Sequence, residues 1–245
     1  MILVSDASVT KTSDRSDEAR RLHDVLRAFD GVAVVRPYEV VDRAVTMERL
    51  RPGYSAADLV AQGRDDEATA VIADVIRRMS PRDPPPGTKT VLDLASAFRH
   101  YRSTGDAQIP APLVDDAERM YLELCDSQYD VRLLHGDLHQ GNILFDDGRG
   151  WVAIDPKGVV GETAYEVGAS LRNPNEPGEI VASAAAARRR LQIFERLLGL
   201  DATRMIRWAH AQAVLAAIWL VEDEGIVDAG HPFLAFARAS RTLVE

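Results

Sequence analysis

The sequence has very little cysteine, which limits its covalent chemistry. Cys125 is the only cysteine in 245 residues, so the chain cannot form an internal disulfide. Met120, Leu122 and Leu124 closely precede it, which predicts a thiol packed on an apolar helix face rather than a nucleophile site. We therefore expect no cysteine-based catalysis.

Positive charge is also scarce. The 38 acidic residues outnumber the 29 lysine and arginine residues and give a formal net charge of -9. A protein that binds nucleic acid needs a basic face to displace counterions from the phosphates. The composition therefore argues against a nucleic-acid partner, and an acidic surface favours cationic partners instead.

No long apolar run is present. The longest, 209–221, is interrupted by His210 and Gln212 and is shorter than the roughly 20 residues that span a bilayer. The first six residues contain no basic stretch followed by a long apolar run, which a secretory signal would need. We therefore predict a buried helix at 209–221, no membrane partner and a cytoplasmic protein.

The hydrophobic pattern changes after residue 51. Before that point, short β-like runs surround one helical segment, and Arg51-Pro52-Gly53 then breaks the last strand. Beyond it helices predominate, interrupted by a predicted β-hairpin. The predicted fold class is α+β, with a small domain at 1–51 and a mostly helical domain at 52–245. The predicted strands are 8–13, 32–35, 38–41, 44–50, 131–134, 143–145 and 151–154, and the predicted helices are 17–29, 56–61, 65–79, 91–101, 112–127, 180–198, 203–222 and 232–243.

A polar loop at 135–142, HGDLHQGN, lies between two apolar segments that are predicted strands. Binding and catalytic residues are concentrated on such loops. Asp137 and Asn142 are five positions apart, like the base and the metal-binding asparagine of the kinase catalytic loop, and His135 stands two residues before the aspartate. A second acid, Asp155, closes the next predicted strand. The pattern predicts phosphoryl transfer.

Phosphoryl transfer requires a site that holds Mg²⁺ on the phosphates and orients the attacking oxygen in line. Asn142 and Asp155 carry hard oxygen donors that suit Mg²⁺, which retains some of its waters and needs few protein ligands. Asp137 is then the candidate base for the acceptor hydroxyl. The expected cofactors are ATP and Mg²⁺, and the expected partner is a small molecule.

The same loop admits a second interpretation. His135, Asp137 and His139 form an H-x-D-x-H pattern, and alternate residues on an extended segment face the same side. Imidazole and carboxylate groups are suitable ligands for Zn²⁺ or Mn²⁺, so a metal-dependent hydrolase is an alternative. The remaining histidines have no comparable spacing, which favours the phosphotransferase hypothesis.

The segment 134–144, LHGDLHQGNIL, resembles the catalytic loop of the aminoglycoside phosphotransferases. The segments 151–158, WVAIDPKG, and 164–174, AYEVGASLRNP, resemble a narrower branch, the streptomycin 6-kinases and hydroxyurea phosphotransferases. The similarity extends over 207–223. It implies a protein-kinase-like fold, with a small β-rich N-terminal lobe and a larger helical lobe, and an antibiotic-resistance kinase that acts on streptomycin or hydroxyurea.

The resemblance implies roles for individual residues. Asp137 becomes the catalytic base, supported by His135, and Asn142 and Asp155 become the metal ligands. Glu166 stands where the family usually has an aspartate that supports the catalytic loop. The acidic residues implied to attract a cationic substrate are Glu222, Asp223 and Glu224.

Two segments near the N-terminus resemble the nucleotide-binding part of these kinases. VTKT at 9–12 resembles the strand with the phosphate-binding lysine, and MERL at 47–50 resembles the hinge that binds adenine through its backbone. Lys11 is then the lysine, and Glu18 on the next helix is its expected acidic partner. The implied adenine-binding residues are Met47, Glu48 and Leu50.

No glycine-rich segment that could cover the phosphates precedes Lys11. A kinase-like small lobe has two strands and a glycine-rich turn ahead of the lysine strand. Only ten residues precede Lys11, and no glycine occurs before Gly31. We therefore expect a truncated small lobe with weak ATP binding and low turnover. The corresponding alternative is a kinase-like protein that binds a small molecule without catalysis.

Overall fold

The structure of the protein is a computed structural model. Strands are concentrated in two parts of the sequence, near the N-terminus and around the polar loop, and helices predominate elsewhere. The described residues are 1–79, 82–173 and 183–244. Within these ranges no helix is both long and apolar enough to cross a membrane.

The chain forms two compact units, and each unit is built from two separate segments. The first unit contains 1–88 and 132–160, and the second contains 89–131 and 161–245. This division by contacts differs from that of the predicted lobes, which meet after residue 51. The lobe boundary remains a prediction about which residues bind nucleotide and which bind substrate.

The first unit begins with four antiparallel strands. They are β1 (Ile2–Val4), β2 (Ser8–Thr12), β3 (Pro37–Val41) and β4 (Ala44–Glu48), and their order in the sheet is β1-β2-β4-β3. Helix α1 (Ser16–Phe29) packs on β3 and β4 and buries Leu26 and Phe29 completely. Lys11 lies near the end of β2, opposite Val45 of β4.

Within its described residues the first unit contains five further strands, two of which directly precede and follow the polar loop. They are β5 (Pro52–Ser55), β6 (Arg132–Leu134), β7 (Ile143–Asp146), β8 (Gly150–Ala153) and β9 (Val159–Gly161), whose last residue belongs to the second unit. One sheet has the order β5-β7-β8, and β6 pairs with β9. Helices α2 (Ala56–Ala61) and α3 (Asp65–Met79) pack beside the first of these sheets.

The second unit is helical within the described residues. Its helices are α4 (Val91–Leu94), α5 (Ser96–Thr104), α6 (Ala111–Asp126), α7 (Thr163–Leu171), α8 (Ala184–Leu198), α9 (Ala202–Glu224) and α10 (Pro232–Val244). Helix α9 is central, because it packs on α5, α6, α7, α8 and α10. Its Trp208 is fully buried, and its ring lies 5.0 Å from that of Tyr121 and 5.1 Å from that of Tyr165. The predicted buried helix at 209–221 is part of α9.

The structure corrects two of the predicted elements. The predicted helix 91–101 is two helices, because the Ala95 amide bonds to the carbonyl three residues before it and the α-helical pattern stops there. The predicted strand 32–35 forms only a single bridge to β8. Residues 180–182 of the predicted helix 180–198 lie outside the described residues, and the rest contains α8.

Candidate functional site

The polar loop connects β6 to β7, and its bends depend on local chemistry. Gly136 has a φ of +83°, and a Cβ atom there would lie 2.8 Å from a methyl group of Val159, so a side chain does not fit. His139 then caps a 3₁₀ turn at Gln140–Asn142, because its Nδ1 accepts the Gly141 amide at 3.1 Å. The bend at Gly136 therefore depends on contact with Val159, and the turn at Gln140–Asn142 depends on His139.

His135 is fully buried at the base of the loop. Its Nδ1 accepts the backbone amide of Asp137 at 3.3 Å, and its Nε2 donates to the carbonyl of Ile154 at 2.8 Å. Burial lowers the pKa of His135 to about 4, so the ring is neutral near pH 7. His135 is thus bonded both to the Asp137 amide and to the residue that follows β8, and its ring joins these two segments.

Asp137 and Asn142 are joined by a hydrogen bond. The side-chain amide nitrogen of Asn142 donates to the Asp137 carbonyl at 3.0 Å, and the Asn142 carbonyl accepts the Ile154 amide at 2.9 Å. Because the amide nitrogen is used in this way, the side-chain oxygen of Asn142 is the atom left to act as a ligand. The predicted base and the predicted metal-binding residue thus belong to one hydrogen-bonded assembly.

Asp155 lies two residues after the end of β8 and has a left-handed backbone, with a φ of +57°. Its Oδ1 lies 2.5 Å from Nζ of Lys11. Burial acts to raise the pKa of Asp155, but the hydrogen bond from Lys11 and the charges of Lys157 and Lys11 outweigh it and hold the pKa below its ordinary value. The Asp155 carboxylate is therefore ionised near pH 7.

The ion pair corrects one prediction. Glu18 of α1 was the expected partner of Lys11, but among the described residues Lys11 forms its ion pair with Asp155 and none with Glu18. Position 18 is in the first turn of α1, where a carboxylate interacts favourably with the helix dipole. The structure thus joins the predicted phosphate-binding lysine to a predicted metal ligand.

The segment after Asp155 supports the loop from behind. The amides of Lys157 and Gly158 both donate to the carbonyl of His135, at 2.8 and 3.0 Å. Gly158 has a φ of +69°, and a Cβ atom there would lie 2.3 Å from a methyl group of Val25 on α1. Glycine is therefore required at the end of the DPKG sequence, because the backbone there passes between the polar loop and α1 with no room for a side chain.

The donors present fit a magnesium ion. The side-chain oxygen of Asn142 and the carboxylate of Asp155 are hard oxygen ligands, and Mg²⁺ needs few others from a protein. The H-x-D-x-H alternative fits poorly, because both ring nitrogens of His135 are bonded to the backbone. Among the described residues no group of three histidine, cysteine, aspartate or glutamate side chains is arranged to hold a metal.

The segment predicted to bind adenine, 47–50, contains the last two residues of β4 and the first two residues after it. The amide of Glu48 donates to the Arg36 carbonyl and that of Arg49 to the Ala7 carbonyl, whereas the Leu50 amide has no acceptor among the described residues. Met47 and Leu50 are buried. The Leu50 amide is thus the hinge donor still available to a ligand.

The side chain of Glu48 has a structural role that the sequence analysis missed. It pairs with Arg149, whose guanidinium also donates to the carbonyls of Gly31 and Val34, the latter at 3.1 Å. Arg149 lies in the turn between β7 and β8. It joins the loop-bearing hairpin to the segment before β3, and no local sequence pattern marks such a contact.

The remaining predicted site residues belong to the second unit. Glu166 is buried on α7. Glu222, Asp223 and Glu224 are exposed and end α9, which Gly225 caps in a left-handed conformation. The segment after this acidic end is fixed by Gln108, whose side chain donates to the Gly225 carbonyl at 3.2 Å and accepts the Val227 amide at 2.9 Å.

Comparison with known proteins gives matches over most of the chain. A family model described as "Aminoglycoside/hydroxyurea antibiotic resistance kinase" matches residues 5–224. The streptomycin 3''-kinase of Klebsiella pneumoniae is 30% identical over 204 residues, covering 81% of this chain and 74% of the relative. The streptomycin 6-kinase of Streptomyces glaucescens is 30% identical over 207 residues, covering 81% and 66%. The hydroxyurea phosphotransferase of Kitasatospora aureofaciens is 30% identical over 208 residues, covering 81% and 57%. The chain thus spans between 57% and 74% of the length of these relatives.

Solved structures share the fold at low sequence identity. A choline/ethanolamine kinase family protein from Mesorhizobium loti has a TM-score of 0.69 at 13% identity, covering 100% of this chain and 84% of the other. A thermostable mutant of an aminoglycoside phosphotransferase, solved with ADP and hygromycin B, has a TM-score of 0.64 at 16% identity, covering 100% and 92%. These similarities confirm the predicted α+β, protein-kinase-like fold.

Proposed function

Because the chain belongs to the aminoglycoside/hydroxyurea antibiotic resistance kinase family, we propose that it transfers the terminal phosphoryl group of ATP to a hydroxyl of a small polar compound. One observation carries the proposal. Asp137 is hydrogen-bonded to Asn142, and Asn142 in turn holds the end of β8, next to the Asp155–Lys11 ion pair. A base, two oxygen ligands and a cation are what phosphoryl transfer requires.

In the proposed reaction the substrate hydroxyl attacks the terminal phosphorus of ATP. The bond from oxygen to this phosphorus forms, the bond from phosphorus to the bridging oxygen of ADP breaks, and the hydroxyl proton passes to the Asp137 carboxylate. The hydrogen bond from Asn142 and the buried His135 fix the direction of Asp137 before the substrate binds. Asp137 returns the proton to solvent after ADP leaves.

Asn142 and Asp155 would hold Mg²⁺. The bound ion would neutralise charge on the phosphates during transfer. The role of the protein is to keep both ligands in place: the Asn142 carbonyl is bonded to the Ile154 amide, and Asp155 follows directly in the chain. Lys11 is placed to move from the Asp155 carboxylate to a phosphate when ATP binds.

Two observations support ATP as the phosphoryl donor. The Leu50 amide is available for the adenine ring, and an aminoglycoside phosphotransferase of the same fold was solved with ADP.

The proposed substrate is a streptomycin-like aminoglycoside, and hydroxyurea is the second candidate. Two of the relatives are named streptomycin kinases and one a hydroxyurea phosphotransferase. The exposed acidic end of α9, with Glu222, Asp223 and Glu224, supports a cationic substrate.

Changing Glu222 to Gln and Asp223 to Asn together should raise KM for streptomycin and leave KM for ATP unchanged. Glu195→Gln, on the exposed side of α8, is the matched control, and an unchanged KM for streptomycin would place the substrate elsewhere.

ADP release separates this function from its alternatives. The protein is incubated with ATP, Mg²⁺ and either streptomycin, other aminoglycosides or hydroxyurea, and ADP is measured by a coupled assay. We expect ADP release that depends on one of these acceptors. If no acceptor gives ADP while an aminoglycoside still raises the melting temperature, the chain is a non-catalytic binding protein.

A further inference from the structure

Lysine is rare in this chain, and its positions are informative. Of the 29 basic residues, 26 are arginine and only Lys11, Lys89 and Lys157 are lysine. Arginine provides the cation in nearly all the ion pairs of the described residues, for example Arg78–Asp74 and Arg64–Glu67. Two of the three lysines act electrostatically on Asp155. A lysine ammonium is a compact point charge that suits phosphate, so its use here points to a function that arginine does not fulfil.

The backbone of Lys157 is fixed against the polar loop. Its amide donates to the His135 carbonyl at 2.8 Å. Its Cβ lies 3.5 Å from the position that a Cβ of Gly136 would occupy, immediately before Asp137 in the chain. Pro156 is buried on one side, and Gly158 is held against Val25 on the other. The side chain therefore starts from a rigid point beside the proposed base.

The Lys157 side chain is exposed, and its ammonium makes no ion pair or hydrogen bond within the described residues. Its charge nevertheless acts on the Asp155 carboxylate and favours the ionised form. Lys11, in contrast, is engaged by Asp155 at 2.5 Å. Lys157 is thus the cation at this site whose three N–H donors are all available to a ligand.

We propose that Lys157 binds the terminal phosphate of the nucleotide and stabilises the phosphoryl group during transfer. This inference rests on the proposed function. Negative charge on the transferred group is spread over three oxygens that need hydrogen-bond donors, and the Lys157 ammonium carries three. The transfer forms and breaks no bond to the Lys157 ammonium, because the substrate proton passes to Asp137.

The test compares the affinities of ATP and ADP, because only ATP carries the terminal phosphate. The full chain and its Lys157→Met variant are titrated with the two nucleotides in the presence of Mg²⁺ by isothermal calorimetry. We expect the variant to bind ATP roughly tenfold more weakly and ADP within about twofold of the wild type, the loss of one charge-assisted contact. The turnover number for ADP release should fall further than the ATP affinity.

Two controls complete the test. Lys89→Met, in the second unit, removes the remaining lysine and should change neither nucleotide affinity. Lys157→Arg keeps the charge and should restore most of the ATP affinity but less of the turnover, because a planar guanidinium places its donors differently. The far-ultraviolet circular dichroism and melting temperature of each variant confirm its folding.

The outcomes distinguish this inference from the proposed function. If the wild type binds ATP and releases ADP, and Lys157→Met has the same ratio of ATP to ADP affinity, the role of Lys157 is overturned and the proposed function stands. If the wild type binds no nucleotide and releases no ADP, both are overturned.

Discussion

Lys11 and Asp155 are 144 positions apart in the sequence and form an ion pair at the site. The Asp155 carboxylate thus has two roles, because it pairs with Lys11 and is also a proposed metal ligand. A metal ion and the Lys11 ammonium are both cations that compete for the same oxygen atoms. Metal binding should therefore be weak until a phosphate draws Lys11 away.

Lys11→Met removes that competition. We expect Mn²⁺, a spectroscopic substitute for Mg²⁺, to bind the variant roughly tenfold more tightly than the wild type when no nucleotide is added, a difference of one decade in Kd. ATP affinity should fall in the same variant. Electron paramagnetic resonance of free Mn²⁺ measures the first effect. Lys11→Arg retains the cation and serves as the control; equal Mn²⁺ affinities in all three proteins would contradict the proposed competition.

His135 makes the stability of the protein depend on pH. Burial lowers its pKa to about 4 in the folded chain, against 6.5 for an ordinary histidine. The unfolded chain therefore binds more protons between these values. The contribution of His135 to stability is complete above about pH 6.5 and is lost as the pH falls toward 4.

His135→Gln should flatten this pH dependence. Between pH 6.5 and pH 4 we expect the free energy of unfolding to fall by about 3 kcal/mol more in the wild type than in the variant. Urea unfolding followed by tryptophan fluorescence at several pH values measures the two slopes. Parallel curves would show that His135 is not held neutral by burial.

The sequence predicted some residues of the site and not others, depending on whether the signal is local or lies between distant positions. The loop 135–142 could be predicted because its spacing is local, and the structure places Asp137 and Asn142 in one hydrogen-bonded assembly. The partner of Lys11 was predicted wrongly, since the sequence does not show which distant carboxylate a lysine reaches. No role was predicted for Lys157, although it lies in the segment 151–158 that resembles the narrower branch, because a resemblance does not show which side chain of a segment acts.

The segment 155–158, which lies between β8 and β9, supports the polar loop. Gly158 has a positive φ, and a Cβ there would lie 2.3 Å from Val25, whereas Gly63 has a similar φ with no atom within 4 Å of its Cβ position. Gly158→Ala combines backbone strain with overpacking, and Gly63→Ala carries the strain alone. The two glycines therefore form a matched pair.

Gly158→Ala should destabilise the protein by roughly 2 to 4 kcal/mol, and Gly63→Ala by only about 1 kcal/mol. Chemical denaturation measures both. Adding Val25→Ala to Gly158→Ala should recover part of the loss, because the smaller side chain relieves the overlap. Equal destabilisation by the two glycine variants would mean that α1 does not confine the loop-supporting segment.

The prediction of elements succeeded where a local signal, either a helix cap or a regular apolar face, marks the segment. Helices α2 and α3 have the predicted bounds, 56–61 and 65–79, because α2 begins at a capping box formed by Ser55 and Asp58 and α3 has a regular apolar face. Strands β1, β5 and β9 were not predicted. Each has three or four residues, too few to show alternation, and each exists through pairing with a distant or neighbouring strand.

At the scale of the whole molecule, the family match confirms the predicted family and class of enzyme, and the solved structures confirm the predicted fold. The division into lobes at residue 51 was read from a change of pattern along the chain. That boundary stays a prediction about which residues bind nucleotide and substrate, whereas contacts group 1–88 and 132–160 into one compact unit. Such a discontinuous unit depends on strand pairing between distant segments, as between β5 and β7, which no local pattern reveals.

The central claim is that Asp137 acts as the base in phosphoryl transfer from ATP to a small molecule. The most direct measurement follows the label of γ-labelled ATP into streptomycin, with Mg²⁺, for the wild type and for Asp137→Ala. We predict one phosphoryl group transferred per streptomycin by the wild type, and a loss of transfer in the variant with streptomycin and ATP binding kept within a few-fold. Equal transfer by the two proteins, or equal loss of binding and transfer in the variant, would contradict the account.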